Sequence, residues 1–175
     1  LHSHEVTYAI VVPVRALGGP RASYVEINRG LAEGLSSIGA AVTVTDHGKT
    51  LSPDAGACFG APAPGEIIAG GKKLVGSAQL RVGDALLQHG SIIIDGDQSL
   101  LNQLTGELHD IVYPATLRSV LGVVHQDQVT FGVIDGLKHV LGGSWEEGEY
   151  LSGERNEAGR LERQRYSQAG WTWRR

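Results

Sequence analysis

The side chains able to do chemistry gather between Cys58 and Asp95, in CFGAPAPGEIIAGGKKLVGSAQLRVGDALLQHGSIIID. This stretch holds the one cysteine of the chain, a Lys72-Lys73 pair ahead of Gly76-Ser77, and a His89-Gly90 step between apolar runs. A free cysteine is usually a small buried hydrophobe. Cys58, however, sits in a loop between Gly56-Ala57 and Phe59-Gly60, outside any regular core element, which leaves a nucleophile open as the second reading. A thiol with an ordinary pKa of about 8.5 is mostly protonated at neutral pH, so a working nucleophile needs a nearby cation or base. Each unit of lowering takes about 1.4 kcal/mol of thiolate stabilisation.

Lys72 and Lys73 are candidates for that cation. Adjacent strand residues point to opposite faces, so one of the two faces a pocket and the other faces water. The plainer reading of a lysine pair after a Gly-Gly turn is a protected strand end. Gly76 beside them lets a ligand lie against the backbone. A lone histidine in an apolar strand, such as His89, is more often a hydrogen-bonded core residue than an acid or a ligand. The seven histidines show no zinc spacing, so no metal site is expected. No phosphate loop, nucleophile elbow or dinucleotide fingerprint is present.

The rest of the chain must position this segment. A length of 175 residues suits one domain with a real core. The 41% hydrophobic and 19% charged composition is that of an ordinary globular protein. Twenty-five glycines are roughly twice the average usage and are not periodic. They mark tight turns and places where backbone approaches something closely. A net charge of −4, with the late arginines interleaved with glutamates, argues against a nucleic-acid footprint. No apolar run reaches the roughly 20 residues that span a bilayer, and no signal peptide is visible. A single cysteine suits a reducing compartment, so a cytoplasmic protein is expected. The chain contains no methionine, so a segment preceding Leu1 is expected.

In order, Glu5 to Val14 reads as a strand. Ser23 with Glu26 reads as a capping box opening a helix, with Ile27, Leu31, Leu35 and Ile38 on its apolar face. Gly39 stops it, and Ala41 to Thr45 follows as a short strand. Asp46 to Pro64 is a long loop. Glu66 to Ala69, Lys72 to Gln79 and Ala85 to Asp95 form an antiparallel meander turning at Gly70-Gly71. Ser99 to Leu104 and Pro114 to Val124 are read as helical. Phe131 to Leu141 is an amphipathic helix, and Glu154 to Gln168 is a charged helix with Leu161 as its apolar anchor.

GGKKLVGSAQ (Gly70 to Gln79) followed by LLQHGSIIID (Leu86 to Asp95) resembles the core motifs of the lipoate-protein ligase and octanoyltransferase superfamily, which shares its fold with biotin protein ligase. ACFGAPAPGEI is similar to the cysteine loop of the octanoyltransferases of Gram-positive bacteria. LHSHEVTYAIVV resembles the strand that follows the superfamily's Arg-Arg-x-Thr-Gly-Gly loop, and YSQAGWTWRR its ending. The resemblance implies an α+β fold with a central mixed or antiparallel sheet flanked by helices and a mainly helical C-terminal part. Residues 1–142 would be the C-terminal portion of the catalytic domain and 143–175 a helical extension of it.

It implies an acyltransferase in which Cys58 takes octanoyl from octanoyl-acyl carrier protein as a thioester. The group then passes to a lysine of a lipoyl-domain protein such as glycine cleavage H protein. Lys73 would depress the thiol pKa and hold the acyl carbonyl. Gly76, Ser77, Ala78, Gln79, His89 and Gly90 would line the pocket, with no metal, no cofactor, no nucleic acid and no membrane. Two alternatives stand beside it. An ATP-dependent lipoate-protein ligase, using ATP and Mg, needs no nucleophilic cysteine. An inactive module would bind acyl groups or lipoyl domains without turnover. The arginine-rich loop would precede Leu1, so the isolated chain is expected to be an incomplete enzyme.

Overall fold

The computed structural model describes residues 4–46, 63–96 and 113–173. Cys58 and the expected helix at Ser99 to Leu104 lie outside the described residues. The elements are β1 (His4–Pro13), α1 (Pro20–Ser37), β2 (Thr43–Val44), β3 (Ile67–Ala69), β4 (Lys72–Val82), β5 (Ala85–Asp95), α2 (Leu117–Leu121), α3 (Gln126–Leu141), α4 (Ser152–Leu161), a π-helical turn (Glu162–Tyr166) and α5 (Ala169–Thr172). They fall into two units, Leu1–Gly143 and Ser144–Arg175.

In the first unit five strands form one antiparallel sheet in the order β1-β5-β4-β3-β2. The meander β3-β4-β5 is the one read from the sequence, and Gly70 and Gly71 turn it with φ of 56° and 76°. Two left-handed residues in succession match the twist of a two-residue hairpin, and only glycine adopts them without strain. β1 and β2 bracket α1 in the chain but occupy opposite edges of the sheet.

The helix start differs from the sequence expectation. α1 begins at Pro20, with Gly19 as its N-cap. Proline lacks the amide that the first turn leaves unpaired, and its fixed φ suits that position. Ser23 therefore lies one turn inside the helix, fully buried, rather than capping it. Among the described residues of the first unit a capping box is found on α2, where Thr116 and Ser119 exchange side-chain-to-amide bonds of 3.1 Å each. β4 runs on to Val82, beyond the expected end at Gln79.

α1 buries Ile27, Leu31 and Leu35 against Ile67, Leu74, Val75 and Ile92 of the sheet and Val129, Val133 and Leu137 of α3. α1 and α3 meet through Gly30, Gly34, Gly132 and Gly136. A Cβ on Gly34 would fall 2.3 Å from the Gly132 carbonyl oxygen. One on Gly136 would fall 2.3 Å from the Gly34 nitrogen.

In the second unit the charged stretch does not continue as one α-helix. It passes from α4 into a π-helical turn at Glu162–Tyr166. Arg165 lies over the Trp171 ring at 4.4 Å, and Tyr166 meets that ring edge-on at 4.9 Å. Among the described residues no helix is long and apolar enough to cross a membrane. None of their His, Cys, Asp and Glu side chains form a group placed to hold a metal ion.

Candidate active site on the sheet

β4 carries six of the residues singled out from the sequence, Lys72, Lys73, Gly76, Ser77, Ala78 and Gln79, and the placement of Lys73 follows from one irregularity. Ile67 pairs with Val75, but Ile68 pairs with Lys73, so two β4 steps oppose one β3 step. This is a β-bulge, which re-aims a side chain. Directly opposed residues share a sheet face, and consecutive strand residues do not. Ile67 and Ile68 lie on opposite faces, and so do Val75 and Lys73. Without the bulge, Lys73 and Val75, two residues apart, would share a face.

The same rule divides the other candidates. Ala78 pairs with His89 and Gly76 with Ser91, on the face of Lys73. Ser77 pairs with Gly90 and Gln79 with Gln88, on the face covered by α1. The first face is open towards the β4–β5 turn. There Leu80 and Val11 both pair with Leu87, and they are 58% and 68% exposed. His89 is exposed, and Gly90 is buried. A Cβ on Gly90 would meet the Gly76 carbonyl oxygen at 2.3 Å and the Tyr8 hydroxyl at 3.0 Å. This glycine therefore seats the phenol of Tyr8.

Lys72 is exposed and Lys73 is buried, the split that alternation required of the pair. The Lys73 Nζ lies 2.7 Å from Glu66 Oε1, with the two side chains 8% and 6% exposed. The other carboxylate oxygen, Glu66 Oε2, accepts the Ala63 amide at 2.8 Å. Lysine and glutamate are almost never so deeply buried unless paired.

On the α1 side a second polar group is buried. The Tyr8 hydroxyl and Ser77 Oγ are 2.6 Å apart. Gln88 Nε2 donates to Tyr8 at 3.2 Å and to Asn28 Oδ1 at 3.1 Å. Asn28 Nδ2 donates to the Gly65 carbonyl at 2.7 Å. Ser23 Oγ, Gln79 Nε2 and Gln88 Oε1 are buried with no partner among the described residues. Glu66, Asn28, Tyr8 and Gln88 were not singled out from the sequence. Asn28, next to Ile27 on the apolar face of α1, and Gln88, inside an apolar strand, carried the available signal: a polar type at a buried position.

Burial pushes the Tyr8 phenol above its ordinary value. Burial, with the Glu66 charge as the next cause, pushes Tyr24 up to about 12. The neutral phenol is thus the form that the fold accepts. An unfolded chain ionises Tyr24 near 10.0, so this group's contribution to stability is whole below that pH and falls away as pH rises towards about 12. Tyr24→Phe is expected to remove a phenol ionising near pH 12 from the ultraviolet titration and to flatten the alkaline loss of stability. An unchanged titration curve would contradict the placement.

With this geometry in place, likeness to known proteins can be weighed. The sequence profile of the lipoyl protein ligase A/B catalytic domain matches residues 1–120. Octanoyltransferase LipM of Kyrpidia tusciae is 34% identical over 180 aligned positions, covering 92% of this chain and 66% of that protein. Octanoyltransferase LipM of Moorella thermoacetica is 45% identical over 100 positions, covering 54% of this chain and 36% of that protein. The chain thus spans less than two thirds of either relative. A crystal structure of lipoate-protein ligase A bound with ATP superposes with a TM-score of 0.72 at 19% identity, over 95% of this chain and 64% of that one. Biotin protein ligase from Aquifex aeolicus in complex with biotin and ATP gives 0.52 at 14%, over 78% and 50%. The α+β architecture is therefore that of the biotin and lipoate ligases. The profile match covers β1 to β5 and the bulge that turns Lys73, and by it the chain belongs to the lipoyl protein ligase A/B catalytic domain family.

Proposed function

We propose that this chain carries the octanoyl transfer of protein lipoylation, through a thioester on Cys58. The observation that carries the reading is the run of relatives named octanoyltransferase, one of them aligned over 92% of the chain. The Cys58 thiolate attacks the thioester carbonyl of octanoyl-acyl carrier protein. The bond to the carrier sulfur breaks, and the carrier thiol leaves with a proton. A lysine amine of a lipoyl-domain protein, such as glycine cleavage H protein, then attacks the Cys58 thioester. An amide forms, and the amine proton returns to the cysteine. No nucleotide or metal enters the balance, and the reaction is assigned to the cytoplasm. ATP and Mg belong only to the ligase alternative.

Lys73 would hold the acyl oxygen as negative charge develops on it, which a preorganised cation does well away from water. Two features support this role. Lys73 is buried beside a carboxylate, and its register places it on the sheet face opposite α1. Gly76, Ala78 and His89 share that face. Ser77, Gln79 and Gly90 would act from the α1 side, through the strand backbone.

The test is incubation of this chain, extended to the length of its octanoyltransferase relatives, with octanoyl-acyl carrier protein, followed by intact mass measurement. An octanoyl adduct on the parent chain that hydroxylamine removes, and that Cys58→Ser lacks, is the expected result. Lipoylation that requires ATP and survives Cys58→Ser would instead assign a ligase. Tight binding of the acyl carrier by that extended chain, without an adduct, would assign a binding module.

A further inference from the structure

We infer that Glu66 is the positioning residue of Lys73, its carboxylate holding the amine on one side and the chain entering β3 on the other. The inference rests in part on the octanoyl-transfer reading, because the use of the amine comes from there, but the contact itself does not.

The two carboxylate oxygens do separate things. Oε1 lies 2.7 Å from the Lys73 amine. Oε2 accepts the amide of Ala63 at 2.8 Å. A further bond fastens the same turn, from the Glu66 amide to the Ala63 carbonyl at 3.1 Å. Lys73 is fixed at its own backbone as well, because its carbonyl accepts the Ala115 amide at 2.9 Å. One side chain thereby couples a buried cation on β4 to the turn that leads into β3. The bulge sits at the same place. It turns Lys73 away from the face of Val75, and Glu66 meets the amine there.

The charge matters as well as the reach. An ionised carboxylate offers acceptors on both oxygens and no donor. An ammonium carries three donors, and the bond to Glu66 fixes one of them in place. A cation held in a set position is what stabilising charge on a substrate requires. The Glu66 charge also reaches the α1 side of the sheet, where it is among the causes that push both Tyr8 and Tyr24 upward.

Glu66→Gln is the informative substitution because it keeps shape and loses one acceptor. The carboxamide presents one oxygen and one NH₂ group. If the oxygen meets Lys73, the NH₂ faces the Ala63 amide, donor against donor. If it is turned over, the NH₂ faces the ammonium. Either the amine or the turn is released.

The first measurement needs no octanoyl transfer. Lys72 and Lys73 are acetylated with acetic anhydride in the full chain, and fragmentation mass spectrometry separates the adjacent sites. In the parent, Lys73 is expected to react about tenfold more slowly than Lys72, as a paired and buried amine should. In Glu66→Gln the gap is expected to close to about twofold. Glu66→Asp, which keeps the charge but is one methylene shorter, is expected to fall between them. It also serves as the second variant should the glutamine chain fail to fold. Equal protection of Lys73 in the parent and in every folded Glu66 variant overturns the inference and leaves octanoyl transfer untouched.

The second measurement is octanoyl transfer by the chain extended to the length of its octanoyltransferase relatives. Glu66→Gln is expected to lower kcat about 10- to 100-fold, less than the 10²- to 10³-fold typical of losing an oxyanion donor outright. KM for the acyl carrier should change less than about threefold. A general loosening of the fold would raise KM too and would not follow the acetylation of Lys73. Labelling as expected with no transfer by any variant, the parent included, removes the octanoyl-transfer reading and leaves the hold of Glu66 on Lys73 established.

Discussion

Alanine at Gly34 is expected to lower the unfolding free energy by about 3 kcal/mol. Its Cβ would lie 2.3 Å from the Gly132 carbonyl oxygen and 2.7 Å from the Gly132 carbonyl carbon and the Val133 Cα. All three are backbone atoms, so no side-chain rotation relieves the overlap, and α1 and α3 must move apart. That separation loosens Ile27, Leu31 and Leu35 from Val129, Val133 and Leu137, which share one core. Alanine is the better helix former by about 1 kcal/mol, but overpacking costs about 1–3 kcal/mol and more where the backbone cannot give. Against a total of roughly 5–15 kcal/mol for a domain, the loss would be evident in a urea melt. Gly153→Ala, in α4 with nothing within 4 Å of its added methyl, is the control and should gain about 0.5–1 kcal/mol. Equal midpoints for Gly34→Ala and the parent would refute the close approach of the two helices.

The second large effect is expected at Lys73. Lys73→Met should cost about 3–5 kcal/mol, because it strands the Glu66 carboxylate, whose side chain is 6% exposed. Lys73→Met with Glu66→Leu should recover most of that loss, since well-packed apolar residues replace a buried ion pair at little or no cost. Octanoyl transfer should not return with it. The pair then separates two properties in one comparison, stability restored and chemistry absent. A double variant no more stable than Lys73→Met alone would show that the cost lies in packing and not in the uncompensated charge.

The sheet was legible because its signals are local. The β-branched run of β1, the Gly70-Gly71 turn and the apolar alternation of β5 each fall within a few residues, and so does the contrast between Lys72 and Lys73. Ser23 was misread because Ser-x-x-Glu is an equally local pattern, and Pro20 three residues earlier is the stronger start. The excess of glycine pointed to close backbone approaches. Which helix approaches which, Gly34 against Gly132 and Gly136, is a tertiary fact. So is the partner of Lys73. Glu66 stands at the head of a short strand and looks like any solvated strand end until the hairpin folds it back beside the amine. The division of the pocket candidates between two faces depends on register and on one bulge, and neither has a signature in composition. The resemblance made Cys58 the expected nucleophile, where the residues alone left that reading open and gave its need for a cation.

The polar layer under α1 also acts as a registration mark. Gln88 and Tyr8 are 80 positions apart, and bringing such ends together costs about 4 kcal/mol of chain entropy. β1 could recover much of that with its backbone bonds one step out of place. A one-residue slip, however, turns every side chain of the strand to the other face. The Tyr8 hydroxyl would leave Ser77 and Gln88 behind, and each would keep only its bond to Asn28, a loss of about 0.5–1.5 kcal/mol per bond. With an apolar residue in place of Tyr8, only the burial of Val6 and Ile10 against the core would hold the alignment. The hydroxyl adds a polar cost to the wrong alignment, so the same contacts that stiffen the site also help select the way in which the first strand closes the sheet.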